Sequence, residues 1–106
     1  MSTKVRHLFN SRGDWIAFQR GKFLFDTNSR WVGWFPWGDN DAVDTHGHYL
    51  ASIFPNDRLY RLNSPPYRGY PGYPGYPGYP GYPGYPGFRG YSSRPWGTSD
   101  ISFPAQ

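Results

Sequence analysis

Cysteine is absent from this 106-residue sequence, and so is glutamate, since all seven acidic side chains are Asp. The first absence eliminates disulfides and any zinc site built on thiolates, while leaving the redox compartment undetermined. The second bears on fold, because strand and turn proteins do well without Glu and helical ones rarely do. Also missing is any apolar run of membrane-spanning length, and Met1 to Asn10 lack the continuous apolar core of a signal peptide. The expectation is a soluble, cytoplasmic protein. Net charge is a modest +4, with Arg and Lys scattered rather than clustered, a pattern of solvated surface more than of a nucleic-acid footprint.

What the sequence has in plenty is aromatic rings, Gly and Pro: five Trp, eight Phe, ten Tyr, 14 Gly and 12 Pro. Without the Gly/Pro-rich part, about 70 residues remain to build a core, a size that needs help from staples or large side chains. Aromatic rings are the available substitute, and Trp15, Trp31, Trp34 and Trp37 are concentrated early in the chain.

From Tyr70 to Gly87 the triplet Tyr-Pro-Gly occurs six times without interruption, flanked by the variants Tyr67-Arg68-Gly69 and Phe88-Arg89-Gly90. Proline fixes φ near −65° and has no N–H, so neither helix nor regular strand can form here. Polyproline II, with three residues per turn, would place every Tyr on one face over roughly 56 Å. Alternatively, each Pro-Gly occupies the centre of a type II turn, where Gly supplies φ > 0 and the chain coils compactly. A weak collagen-like triple helix and a disordered linker are further readings of the same composition.

Three segments outside the tract align on one template: Leu8 to Trp15, Leu24 to Trp31 and Ala42 to Tyr49. Each reads apolar pair, Asx, hydroxyl, variable, small, polar, aromatic. An Asx followed by Ser or Thr caps a tight turn, and Gly13 or Gly47 can take the left-handed conformation of a bulged hairpin loop. Each copy is therefore a predicted β-hairpin, returning through Trp15 to Phe18, Trp31 to Phe35 and Tyr49 to Ile53. The small residues Ala17, Gly33 and Ala51 sit two places after the leading aromatic, where they permit close packing. Second turns fall at Arg20-Gly21, Pro36 to Asn40 and Pro55-Asn56-Asp57. A fourth outgoing strand, Arg58 to Leu62, runs into the tract instead of a turn, and Asp100 to Phe103 is the later candidate for its return. The expectation is an all-β single domain over residues 1–106, with eight strands in four hairpins related by internal pseudo-four-fold symmetry. Residues 63–99 would be a Pro/Gly/Tyr-rich insertion in the fourth hairpin.

The run from Asp14 to Leu62, and above all Trp31 to Asp39 and Tyr49 to Arg61, followed by the Tyr-Pro-Gly repeats, resembles the bacterial four-fold β-flower proteins. The likeness covers nearly the whole chain. It implies four hairpin petals around a shallow central barrel, and it brings no established activity with it. That barrel is similar in shape to tubby-like domains that bind phosphoinositides, an analogy of fold alone.

Catalytic chemistry has little to stand on. His46 and His48, near Asp39, Asp41 and Asp44, could share a strand face as a metal pair, but they fall at a hairpin tip where polar residues belong anyway. Asp39-Asn40-Asp41 begins like a calcium loop and lacks its Gly and terminal Glu. Asp26 and Asp44 occupy the turn-capping place of the template, and Arg12-Gly13-Asp14 is a turn. With no nucleophile, phosphate loop or triad, a non-enzyme without a cofactor is expected.

The aromatic set supplies the binding candidates. Trp15, Trp31 and Tyr49 begin equivalent strands, with Trp34 and Trp37 close by, and Tyr70, Tyr73, Tyr76, Tyr79, Tyr82 and Tyr85 line the tract. The favoured function is self-association or protein binding through stacked Tyr and Pro rings, and the tract is also a proline-rich ligand that could dock on its own aromatic face. The alternative is a lipid or carbohydrate held in an aromatic cup. A third is weak single-stranded nucleic-acid binding through Arg68, Arg89, Arg94 and the tyrosines.

Overall fold

The computed structural model describes residues 4–66 and 68–103. Among them there is no helix; the ordered elements are β1 (Val5–Phe9), β2 (Trp15–Arg20), β3 (Phe23–Asp26), β4 (Trp31–Trp34), β5 (Asp41–Asp44), β6 (Tyr49–Phe54), β7 (Arg58–Leu62) and β8 (Thr98–Asp100). Neighbours in sequence pair antiparallel from β1 to β8, and β1 also pairs with β7 at Phe9 and Arg58. The result is a closed seven-stranded barrel with one extra strand.

The template acts as three copies of one device. Asn10 Oδ1 accepts the amides of Arg12 and Asp14, Asp26 Oδ1 those of Asn28 and Arg30, and Asp44 Oδ1 those of His46 and His48, all at 2.8–3.0 Å. In each copy the residue three places after the Asx is left-handed: Gly13, Ser29 and Gly47 have φ of 92°, 64° and 87°. A register shift follows between Leu8 and Phe9, Leu24 and Phe25, and Ala42 and Val43. An Asx turn with one left-handed residue and a bulge is what these residue types favour, so sequence and local geometry agree.

Closure needs a narrow interior. Leu8, Ala17, Leu24, Phe35, Ala42, Ala51, Ile53 and Leu59 form one buried cluster drawn from all around the sheet, so their common face is the barrel axis. Eight strands leave an interior just wide enough for side chains, and seven leave less; Ala17, Gly33, Ala42 and Ala51 supply the small volumes. The alternate face carries larger rings. Phe9, Phe18, Phe25 and Tyr60 are buried there, with Phe18 and Phe25 stacked at 5.2 Å.

The eighth strand departs from expectation. It is Thr98–Asp100, pairing Leu62, Arg61 and Tyr60 in turn, and the anticipated return through Phe103 shares only Asp100 with it. At Asp100 the chain leaves the ladder because its carboxylate takes the Ser11 amide at 2.8 Å and the Ser11 hydroxyl at 2.5 Å. Ile101 and Phe103 then pack against the core cluster. Partial burial of these two large apolar side chains offsets two further ladder bonds.

Between β7 and β8, the described residues of 63–97 contain no strand. Every glycine of the Tyr-Pro-Gly run has φ between 77° and 92°. That sign departs from polyproline II and matches the third position of a type II turn. Yet no backbone hydrogen bond joins two residues of the tract among those described; its bonds go to the barrel instead. The molecule measures 35 × 32 × 28 Å, shorter than a straight polyproline II tract of roughly 56 Å, and the tract curves around the barrel wall.

Candidate functional site

The tract crosses the hairpins in reverse order. Pro71 lies against Gly47 at the β5–β6 tip, Tyr76 meets Trp31 edge-on at 6.1 Å, and Tyr82 and Tyr85 meet Trp15 at 5.9 and 6.0 Å. Barrel donors hold its carbonyls: Ser29 Oγ donates to Gly81 O at 2.7 Å, Arg20 to Pro80 O at 3.2 Å, and His7 Nε2 to Gly84 O at 3.1 Å. These three donors were missed by sequence reasoning. A signal existed, because a chain with Pro at every third place is short of N–H groups and rich in free carbonyls, so a surface that docks it must supply donors.

Both ends are clasped, each by the Arg that replaces Pro in a variant triplet. Arg68 reaches Asp39 and Asp41, both at 2.7 Å, with its guanidinium 4.4 Å from the Trp37 ring centre. Arg89 lies 4.4 Å over the Phe9 ring, its amide donates to Gly13 O at 2.9 Å, and the Ser92 amide donates to Ser11 O at 2.8 Å. Beneath this second clasp, the buried Arg58 donates to Asn10 O at 2.8 Å and Gly90 O at 2.9 Å. A planar guanidinium can serve an aromatic face and several oxygens at once, which suits Arg to both ends.

The Asp41 amide, which bonds Asp39 Oδ1, and then the Arg68 guanidinium hold the Asp39 carboxyl below its ordinary value of 3.8. A depressed folded value means that this contribution is complete above the ordinary range and is lost as pH falls through the lower, folded value. Acidification through that window is therefore expected to loosen the Arg68 clasp before the barrel unfolds. Trp37 fluorescence in a variant lacking the other four Trp should change there, and a flat response down to global unfolding would exclude the linkage.

The docked tract sorts its residues by exposure. Tyr70, Tyr73, Tyr76, Tyr79, Tyr82 and Tyr85 are 87, 76, 77, 75, 62 and 67% exposed, while the intervening Gly and Pro are half-buried except Pro86. Phe88, Tyr91 and the fully exposed Trp96 extend the aromatic surface. The other candidates are placed separately. Trp15 and Trp31 each donate their indole N–H to a carbonyl two residues on, at Ala17 and Gly33, and both lie beneath tract tyrosines. Trp34 is 7% exposed. Tyr49 braces β6 against β7, its hydroxyl bonding Ser52 Oγ and accepting from the Leu62 amide. A ligand for the Trp15 and Trp31 faces would have to displace the chain's own tyrosines.

Beside the tract's end a cleft of about 610 Å3 gathers Lys4, Arg6, His7 and Arg89, with Asp57 paired to both Arg6 and Arg89. His46 and His48 are exposed at their hairpin tip, and no group of three or more His, Cys, Asp or Glu able to hold a metal occurs among the described residues. No described helix is long and apolar enough to cross a membrane. Comparison of the chain with family models, curated proteins and solved structures returns no match, so the arrangement of these residues is what a functional reading rests on.

Proposed function

We propose that this protein is a non-catalytic interaction module, a β-flower barrel wearing a belt of tyrosines through which it associates with further copies of itself or with a partner protein. The observation that carries the reading is the sorting of the tract, with six evenly spaced tyrosines exposed while the intervening Gly and Pro, Pro86 excepted, are half-buried. Contiguous exposed rings of this kind mark interaction surfaces, and a phenol offers large stacking area with few rotors to freeze. Docking on the barrel lowers the cost further, because the backbone is held before a partner arrives. On this reading β7 and β8 are the fourth petal, and the insertion expected over 63–99 gives up Thr98 and Ser99 to β8. The antiparallel pairing of β7 with β8 supports it.

The test uses Tyr73→Ser/Tyr79→Ser, since neither ring is among those stacked on Trp15 or Trp31. In sedimentation velocity the native chain is expected to associate as concentration rises. A two-fold interface would lose four rings at about 0.5–1.5 kcal/mol each, so association of the variant should weaken by roughly thirty-fold or more, with its melting temperature unchanged. Identical monomers for both proteins would exclude self-association and direct the search to a separate protein partner.

A further inference from the structure

The docked tract is an intramolecular complex whose contacts repeat along the wall. Gly47, Ser29 and Gly13 hold the same place in the three hairpin turns and meet the tract in that order, at Pro71, Gly81 and Gly90. These points lie ten and nine residues apart, so each hairpin takes about three triplets of the run. Between them Arg20 donates to Pro80 O and His7 to Gly84 O, while Trp31 and Trp15 meet Tyr76, Tyr82 and Tyr85. What the wall recognises is a chain poor in N–H donors and rich in acceptor carbonyls. Every copy of this protein carries one.

The tract brings no structure of its own to lose on leaving, since no backbone bond joins two of its residues among those described. The base of its loop is closed separately. The Asn63 amide donates to Gly97 O at 2.8 Å, Ser99 Oγ donates to Asn63 Oδ1 at 2.6 Å, and Leu62 pairs with Thr98. β7 and β8 can therefore stay paired while the loop between them lifts. Thirty-five residues lie between Leu62 and Thr98, roughly 110 Å of chain at about 3.1 Å each. That is about three times the longest dimension of the molecule, 35 Å, and enough to lie across an adjacent barrel.

We propose that the wall is a receptor for a Tyr-Pro-Gly strand supplied by a second copy of this chain, two copies trading tracts while each barrel stays closed. The same contacts form in either arrangement, so concentration decides between them. A tethered segment faces its own site at an effective concentration in the millimolar range, and exchange is expected as the chain approaches that range. The tyrosines stay exposed after exchange, so this association is distinct from stacking between belts.

The experiment places the photoreactive residue p-benzoylphenylalanine at Tyr76 of the full chain, mixes heavy-isotope-labelled with unlabelled protein at about 1 mM, and irradiates. Exchange predicts covalent pairs of mixed isotope content that join residue 76 of one copy to Trp31 or its neighbour Phe23 of the other. Mixed pairs joined only tract to tract would show belts stacking without exchange and overturn the proposal, as would products confined to single chains. A second probe, at Tyr79, guards against a new ring at 76 disturbing the wall, because Tyr79 is 75% exposed and stacked on neither tryptophan. Its expected targets in the other copy are Arg20 and Ser29, which hold the next two carbonyls. Exchange also requires the tract to lift. Gly13→Ala, which presses on Gly90, should therefore hasten the appearance of mixed pairs by roughly tenfold or more, and an unaltered rate overturns the proposal.

Discussion

Gly33→Ala is expected to cost about 3 kcal/mol or more, the upper range of overpacking, and thus to lower the melting temperature by roughly 12–24 °C. Gly33 lies in β4 between Leu24 of β3 and Asp44 of β5. A Cβ there would overlap the carbonyl oxygen of Val43 and sit 3.0 Å from Leu50 Cδ2. The obstacle is sheet backbone rather than a side chain that can swing away. β5 could retreat only by giving up its pairing with β4, which consists of Gly33 with Asp44 and Trp34 with Val43. The repeat alone argues the other way, since Ala17 and Ala51 fill the matching places with no exposure. Thermal unfolding separates the two arguments: a melting point within about 2 °C of the native one would mean that the repeats are interchangeable and that the close approach of β5 is not required.

That contrast also marks how far the sequence can be read. The turns were legible because their cause is local: an Asx side chain reaches amides two and four residues on, and a Gly or small polar residue takes the left-handed place. Strand positions followed from those turns. Barrel closure was harder, because it rests on contacts between ends, Phe9 against Arg58 with the Phe9 amide on Asp57 O and Arg58 on Asn10 O, and no local pattern encodes such a pairing. The last strand was misplaced for the same reason, as the Asp100 carboxylate finds Ser11, 89 positions away.

For the candidate site, composition showed the tyrosines and their threefold spacing, and the docking of the tract on its own domain was one of several open readings. Which barrel groups would hold it was not legible. His7, Arg20 and Ser29 have nothing in common in sequence, and only the folded wall brings them beneath successive carbonyls. The arginines of the variant triplets were visible as departures from the repeat. Their meaning as clasps depends on Asp39, Asp41 and Phe9 converging from distant strands.

The second clasp should fail when Gly13 is replaced. Gly13→Ala places a methyl group into the backbone of Gly90, at a residue whose φ is 92°. The left-handed conformation alone costs an L-residue about 1–2 kcal/mol. If Gly90 moves aside, its bond with Arg58 and the neighbouring bond from the Arg89 amide to Gly13 O are strained or lost as well. A total of about 3 kcal/mol follows at roughly 1 kcal/mol per bond. Unlike Gly33, Gly13 presses on a loop that can lift while the barrel stays closed, so the loss is expected as local opening. Tryptic cleavage after Arg89 should accelerate by roughly a hundredfold when opening is rapid compared with cutting. Arg58→Met leaves Asn10 O and Gly90 O without that donor and is expected to cost about 2–4 kcal/mol by the same reasoning. Because both substitutions release Gly90, the double variant should lose less than the sum of the two by about 0.5–3 kcal/mol, the range for groups sharing one network. Strict additivity in urea unfolding, or native cleavage rates in Gly13→Ala, would show that the tract's end is not held by this clasp.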